Sequence, residues 1–130
     1  MNQTASNCNE VDSSAWLEYF AGSKHAANFA EVSEATEALV VPVICIYEVF
    51  EVVRREFDDH RALIAISVMR KGKVIDIDLD LVVHAARHGL ALAESLIYET
   101  ALRHDATLLT QDRHFEGLPK VRYFSNTLLA

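Results

Sequence analysis

The stretch that most constrains the fold of this chain runs from Gly89 to Leu118, where a helical pattern leads into a short apolar run. Between Leu92 and His104, apolar side chains recur at helical spacing and share one arc of the helix, while Glu99 lies opposite them. Residues 106–110 are then almost wholly apolar, as in a parallel strand that is buried on both faces. A helix followed directly by a buried strand predicts an α/β fold.

Four further strands are predicted elsewhere in the chain, from what resembles the end of a short strand at Glu10-Val11 and from three apolar runs. These strands end near Val11, Val41, Ile77 and Phe124. The predicted order is strand, two helices, strand, two helices, strand, two helices, strand, strand. Because these crossovers are long enough for parallel pairing, we expect a three-layer α/β/α fold around a mainly parallel central sheet.

Cap residues predict where the first helices begin. Ser13 or Ser14 is expected to cap the first helix. Pro42 suits the first turn of a long helix that extends to Phe57. Glu48 lies on this long helix, away from its main apolar arc.

Length and composition predict one domain over residues 1–130, because 130 residues with 51% hydrophobic side chains are ample for one core. Residues 1–9 are polar and predict a loose N-terminus, and residues 125–130 predict a tail. The chain lacks a signal-like segment and an apolar run of the roughly 18 residues that a membrane span needs. Cys8 and Cys45 fit neither a metal finger nor a disulfide framework. We therefore expect a cytoplasmic protein that does not contact a membrane.

The formal net charge of -7 disfavours nucleic-acid binding through a basic patch, although nucleic acid held through metal ions stays compatible with it. Several scattered basic residues either meet RNA phosphates or are simply solvated: Lys71, Lys73, Arg103 and Arg113. Three histidines at helical spacings lack an evident cysteine or carboxylate partner, which favours surface or hydrogen-bonded positions over a zinc site: His84, His88 and His104.

Four acidic residues occupy comparable places in the predicted fold. Asp12 follows the first strand, Glu48 lies on the long helix, Glu94 lies in the first turn of a helix, and Asp112 follows the fourth strand. In open parallel sheets, ligands bind beyond the carboxyl ends of the strands. Mg²⁺ prefers oxygen ligands, and clustered carboxylates are costly unless a cation neutralises them. If the four acids converge, they imply one or two metal ions.

Each acid also has a purely structural explanation. Asp12 could cap the first helix, Glu48 could be a solvated helix residue, Glu94 could favour the helix dipole, and Asp112 could begin a turn. For Glu48 and Glu94 alone, the structural explanation is the better one. Only the combination of all four acids favours a catalytic metal site over these structural explanations.

From about Glu10 to Phe124, the chain resembles the PIN-domain ribonucleases, and most closely the small toxins of VapC type from bacterial toxin–antitoxin pairs. The matching motifs, in chain order, are Val-Asp-Ser-Ser-Ala-Trp at 11–16, Tyr-Glu-Val at 47–49, Leu-Ala-Glu-Ser-Leu-Ile at 92–97, Ala-Thr-Leu-Leu-Thr-Gln-Asp at 106–112 and His-Phe at 114–115. Each motif is weak alone, but their order and separation are specific.

This resemblance implies a metal-dependent endoribonuclease that hydrolyses RNA phosphodiester bonds with water activated on Mg²⁺ or Mn²⁺. It assigns four residues to the catalytic metal site and two hydroxyls to orienting those acids: Asp12, Glu48, Glu94 and Asp112, with Ser14 and Thr110. It further implies a small cognate antitoxin and a homodimer. Apolar residues on the second helix pair are candidates for the antitoxin contact.

The chain departs from the family pattern at three places. Glu94 stands where the family usually has Asp, and the longer side chain changes the distance to a metal. Residues 8–11 are more polar than the family's first strand. His114 occupies a position that is often acidic, and we assign it no ligand role.

Two other hypotheses compete with the nuclease. The departure at Glu94 and the polar first strand also suit a catalytically impaired PIN-like module that only binds a protein partner. A phosphoacceptor-aspartate enzyme is disfavoured, because Asp12 lacks a second Asp two positions later and no late Lys clearly follows a strand.

Overall fold

The computed structural model describes residues 8–126, which form five strands and six α-helices. The strands are β1 Asn9–Val11, β2 Leu39–Pro42, β3 Lys73–Ile75, β4 Thr107–Thr110 and β5 Val121–Tyr123. The helices are α1 Ser13–Ala21, α2 Ala27–Glu34, α3 Val43–Glu56, α4 Asp59–Met69, α5 Leu79–Ala85 and α6 Leu92–Arg103. The predicted order of strands and helices is confirmed.

The five strands pair in parallel in the order β3-β2-β1-β4-β5, and the helices flank this sheet in an α/β/α arrangement. The predicted three-layer fold is therefore confirmed. From β1 the chain proceeds to β2 and β3 on one side, and it then crosses to β4 on the other side. The boundary between β1 and β4 is the topological switch point, where open α/β sheets form a crevice for ligands.

The core fills the space around β1, β2 and β4, whose apolar side chains are buried. Fully buried side chains from strands, helices and the loop after β4 belong to one cluster, among them Val11, Trp16, Phe29, Leu108 and Phe115. Cys45 is also fully buried there, as expected for a core cysteine. This packing fixes the strand ends from which the acidic residues project.

Helix α6 is buried more completely than its amphipathic pattern predicts. Its whole central part, Ser95 to Tyr98, is buried. The side chain of Glu99, on the opposite arc, is only 13% exposed, and its Oε1 lies 2.7 Å from His88 Nε2. The expectation that His88 lacks a carboxylate partner is therefore wrong.

Several local expectations also need correction. Asp12, and not Ser13 or Ser14, caps α1, because its Oδ1 accepts a hydrogen bond from the Ala15 backbone N–H. Asn9 begins β1, so the loose N-terminus predicted for residues 1–9 does not extend that far. Residues 1–7 and 127–130 lie outside the described part of the chain.

Between residues 8 and 126, no helix has the length and apolar character that crossing a bilayer requires.

Glu10 is an unusual residue for the central strand of a parallel sheet. Its side chain is fully buried, and neither carboxylate oxygen has a hydrogen-bond partner within residues 8–126. Burial raises the pKa of Glu10 well above 4.5, and the nearby Asp12 carboxyl raises it further. The buried side chain is therefore held in its protonated form over a wide pH range.

Replacing Glu10 with Met should stabilise the protein at pH 8 by about 1–3 kcal/mol, because an unpartnered buried polar group is exchanged for an apolar one of similar volume. In the wild type, the stabilising contribution of Glu10 should be fully present below pH 4.5. It should fall as the pH rises towards the raised folded-state pKa, since the unfolded chain loses the proton first. Urea unfolding between pH 4 and 8.5 measures both effects.

The exposed Glu31→Met variant is the matched control and should keep the wild-type pH dependence. Glu10→Met should keep only the smaller decline that Asp12, Glu94 and His114 contribute, because the pKa of each of these groups is also raised. An undiminished decline in Glu10→Met would show that Glu10 is not the buried proton carrier.

Candidate metal-binding site

The fold brings the four predicted acids to the carboxyl edge of the sheet. Asp12 directly follows β1, and Asp112 lies two residues beyond the end of β4. Glu48 lies in the second turn of α3, which begins where β2 ends. Helix α6 packs on β4 after a tight reversal at residues 104–106, so Glu94 in its first turn lies near the end of that strand. We call these four residues the acidic rim.

Asp12 is the most buried member of the acidic rim, with a relative exposure of 2%. Its Oδ1 accepts hydrogen bonds from Ser14 Oγ at 2.7 Å and the Ala15 N–H at 3.0 Å, and its Oδ2 accepts one from Thr110 Oγ1 at 2.6 Å. Burial raises the pKa of Asp12 to about 6, although these three bonds oppose the rise. The Asp112 carboxylate contributes a smaller increase.

The hydroxyl of Thr110 connects the two strand ends. It donates to Asp12, and it accepts a 2.8 Å hydrogen bond from the Asp112 backbone N–H. Ser14 adds a second connection, since its Oγ also accepts a 3.3 Å hydrogen bond from the Gln111 backbone N–H. Both predicted supporting hydroxyls therefore contact Asp12 and the segment that carries Asp112.

Glu94 and Asp112 come together with a third residue, His114. One ligand atom from each of the three lies within 4.8 Å of the other two. His114 Nδ1 is 2.7 Å from Glu94 Oε2 and 3.5 Å from Asp112 Oδ1. Burial raises the pKa of Glu94, and the adjacent Asp112 adds to this rise while His114 opposes it. The bond to Glu94 raises the pKa of His114.

Glu48 joins the rim less closely than the other three acids. Its Oε1 accepts a 2.5 Å hydrogen bond from Ser13 Oγ, on the residue directly after Asp12. Like Asp12, Glu48 is not part of the group that lies within 4.8 Å, and it lacks the link to Asp112 that Thr110 gives to Asp12. The half-buried Glu48 is therefore not a solvated helix residue, but it lies at the margin of the site.

His114, to which the sequence analysis assigned no ligand role, lies beside Glu94 and Asp112. Its backbone N–H donates to Asp112 Oδ1 at 3.0 Å, in a short 3-10 turn that Asp112 caps. This turn directs the imidazole back towards Glu94. The sequence did show that His114 lies two residues after Asp112, a carboxylate at the end of a strand. The direction in which its side chain points is set by the 3-10 turn, which the sequence alone does not reveal.

The other predicted polar residues lie apart from the rim or are paired elsewhere. Arg103 pairs with Asp78 and Asp80. His84 contacts both the carbonyl and the carboxylate of Asp80, so the expectation that it lacks a carboxylate partner is also wrong. The Nε2 atom of His104 is buried without a partner within the described residues. Three basic residues are exposed: Lys71, Lys73 and Arg113, of which Arg113 adjoins Asp112.

The ligand atoms of the acidic rim suit a divalent cation. Within residues 8–126, His114 is the ion-pair partner that the structure gives to these four carboxylates, and it contacts only Glu94 and Asp112. Burial is the main reason that the pKa values of Asp12 and Glu94 are raised, and the neighbouring Asp112 carboxylate raises both further. A bound cation would offset the charge of these carboxylates.

A family model of the PIN domain matches residues 10–121 of this chain. No curated protein sequence gives a significant match.

Solved structures with a similar fold include chains from toxin–antitoxin systems. A toxin–antitoxin complex from Klebsiella pneumoniae gives a TM-score of 0.74 at 21% identity, covering 90% of this chain and 98% of that chain. A DNA-bound VapBC from Salmonella typhimurium gives 0.67 at 16% identity, covering 92% and 98%. The Sarcin-Ricin loop cleaving toxin VapC20 of Mycobacterium tuberculosis gives 0.67 at 14% identity, covering 85% and 94%. At these identities the likeness shows a shared fold.

Thr110→Val should raise the pKa of Asp12 above its value of about 6, because the carboxylate loses a hydrogen bond that favours its charged form. It should also destabilise the protein by about 1–3 kcal/mol, since the Asp112 N–H loses its acceptor. A ¹³C NMR titration of the aspartate carboxyls, assigned with Asp12→Asn, measures the pKa. Thr110→Ser keeps the hydroxyl and should titrate like the wild type. Equal Asp12 titrations in the Val and Ser variants would contradict the assigned role of this bond.

Proposed function

The chain belongs to the PIN domain family, and from that premise we propose that it is a metal-dependent endoribonuclease, the toxin of a toxin–antitoxin pair. The observation that carries this proposal lies at the switch point between β1 and β4: Glu94 and Asp112 come together there, and Thr110 joins Asp12 to the segment that carries Asp112. The toxin–antitoxin chains that share the fold support it.

In this proposal Asp12, Glu94 and Asp112 hold the cation, Mg²⁺ or Mn²⁺, and Glu48 acts from the margin of the site. A divalent ion bound there supplies positive charge that lowers the pKa of the attacking water and offsets charge on the phosphodiester. Ser14 and Thr110 keep the Asp12 carboxylate in a fixed orientation through their hydrogen bonds. The buried Asp12 therefore needs little rearrangement when a cation binds.

The charge of the chain limits how RNA can approach the rim. With a net charge of -7, the protein repels phosphates except where cations or local basic groups intervene. The exposed Arg113 adjoins the site and is a candidate phosphate contact. Because one chain of the same fold is described as cleaving the Sarcin-Ricin loop, structured ribosomal RNA is a rational first substrate beside tRNA.

The antitoxin contact is proposed for a groove between α1, α3 and α4. This cavity of about 590 Å³ is lined mainly by apolar side chains, including Leu17, Phe20, Val53, Ile64 and Val68. It lies on the second helix pair that the sequence indicated, with α1 as an additional wall. An apolar segment of a small partner protein fits such a groove.

Homodimerisation remains a prediction from the family resemblance, and a cytoplasmic location remains a prediction from the sequence. Helix α5 exposes three apolar side chains, with Leu79 80%, Val82 41% and Val83 46% exposed. A dimer would remove apolar surface of this kind from water. These residues are therefore candidates for the contact between two copies.

Purified protein should cut total tRNA or ribosomal RNA into discrete fragments in the presence of Mn²⁺ or Mg²⁺. Asp12→Asn should reduce the cleavage rate by more than the roughly 10–100-fold that the loss of an outer-shell partner costs, because it removes a proposed ligand itself. Asp76→Asn changes an exposed carboxylate in the same way and should cleave at the wild-type rate. Gel analysis of fragments over time measures these rates.

Glu94→Asp separates the nuclease from the impaired binding module. The observations that favour the module are Glu94, where the family usually has Asp, and the buried Glu10 in β1. Cleavage that persists or increases in Glu94→Asp supports an active enzyme with an altered ligand. Cleavage gained only in that variant indicates a scaffold disabled at Glu94. If no variant cleaves RNA or binds Mn²⁺, the enzyme proposal fails.

Ile64→Asp should abolish co-purification of the protein with a small antitoxin that is encoded beside it, because a charge enters the apolar groove. Leu63→Asp is the matched control, since Leu63 is 59% exposed on the same helix and does not line the groove. Circular dichroism checks that both variants are folded. Equal co-purification of the two variants would place the partner elsewhere.

A further inference from the structure

We propose that His114 supplies a nitrogen ligand to the divalent cation of the acidic rim, so that the site favours first-row transition metals over Mg²⁺. This inference rests on the proposed function, because it concerns the same metal site. It adds a ligand of a different chemical type to the acidic residues and predicts a preference among metals.

The imidazole of His114 already faces two of the proposed ligands. Nδ1 lies 2.7 Å from Glu94 Oε2 and 3.5 Å from Asp112 Oδ1, and the three ligand atoms lie within 4.8 Å of one another. Around an octahedral ion with bonds of about 2.1 Å, ligand atoms are about 3 Å apart when adjacent and about 4 Å apart when opposite. Small rotations of these side chains would therefore place all three around one ion.

The backbone fixes the position of His114, while its ring keeps the freedom to rotate. The backbone N–H of His114 donates to Asp112 Oδ1, and the next residue, Phe115, is fully buried in the core. The side chain of His114 itself is 69% exposed, whereas that of Glu94 is 17% exposed. The ring can therefore exchange its contact with Glu94 for a contact with a metal without a change in the turn.

Ligand chemistry decides which metals this group of residues favours. Mg²⁺ takes oxygen ligands and keeps several waters, whereas imidazole suits Zn²⁺, Fe²⁺, Ni²⁺ and Cu²⁺. For divalent ions on mixed nitrogen and oxygen ligands, affinity rises from Mn²⁺ through Fe²⁺ and Co²⁺ to Ni²⁺. A neutral imidazole also brings less negative charge than a carboxylate would at the same place. The electrostatic attraction of the site for Mg²⁺ is therefore weaker than with a carboxylate at this position. Transition-metal ions gain a metal–nitrogen bond that they favour more than Mg²⁺ does.

The length of Glu94 agrees with this role for His114. Asp would end one methylene closer to the α6 backbone, whereas Glu94 reaches the imidazole on the turn after β4. The two residues that depart from the family pattern here, Glu94 and His114, therefore contact each other. Together with Asp112, they form a group of two carboxylates and one imidazole.

Metal binding by the full chain tests this inference without a need for catalysis. Isothermal titration calorimetry gives the affinity for Co²⁺ and for Mg²⁺ in the wild type, His114→Asp and His60→Asp, the last changing an exposed histidine on α4. The ratio of Co²⁺ to Mg²⁺ affinity should fall about tenfold or more in His114→Asp and stay unchanged in His60→Asp. Pulsed EPR of bound Mn²⁺ should show ¹⁴N coupling in the wild type and His60→Asp, and none in His114→Asp.

Failure of this inference is distinguishable from failure of the nuclease proposal. Suppose that the wild type binds Mn²⁺ and cleaves RNA, and that His114→Asp keeps both the ¹⁴N coupling and the ratio of Co²⁺ to Mg²⁺ affinity. The assignment of His114 as a ligand is then wrong, and the nuclease proposal stands. If the wild type binds none of the three ions, both proposals fall.

Discussion

The hydroxyl of Thr110 joins the ends of the two central strands, and the arrangement of the acidic rim depends on it. It donates to Asp12 at the end of β1 and accepts from the Asp112 backbone after β4. The parallel register of β1 and β4 places these two strand ends beside each other. Glu94 and His114 are then positioned from α6 and from the turn that Asp112 caps. One buried side chain thus couples sheet topology to the geometry of a site.

Burying carboxyl groups at and beside the acidic rim without cationic partners costs folding free energy. Asp12 is nearly fully buried with a pKa raised to about 6, and Glu10 lies two residues earlier with no hydrogen-bond partner among the described residues. Protein surfaces usually neutralise such acids with Lys or Arg, whereas here only His114 pairs with rim carboxylates within residues 8–126. The structure therefore places buried and unneutralised carboxyl groups where the fold presents its crevice. A cation that binds there would relieve repulsion and gain ligands in the same step.

Much of the fold could be predicted from the sequence, because strands and helices follow local hydrophobic periodicity. The α/β order and the convergence of Asp12, Glu94 and Asp112 on one edge both follow from where strands end. Contacts between distant segments could not be predicted in the same way. The pairing of Glu99 with His88 and the contact of Ser13 with Glu48 depend on helix packing, which local patterns do not encode. The contact of His114 with Glu94 could not be predicted for the same reason, since the direction of the imidazole is set by a turn that only the folded chain shows. The roles of the six predicted site residues remain predictions.

The central claim is that the acidic rim is one metal centre, and anomalous diffraction from crystals soaked in Mn²⁺ tests it most directly. Data collected above and below the manganese absorption edge locate the ion without any assumption about catalysis. We expect an anomalous peak at the carboxyl edge between β1 and β4, within about 2.0–2.3 Å of carboxylate oxygens of Asp12 and Asp112. A fully occupied peak elsewhere on the protein, with none at the rim, would contradict the claim.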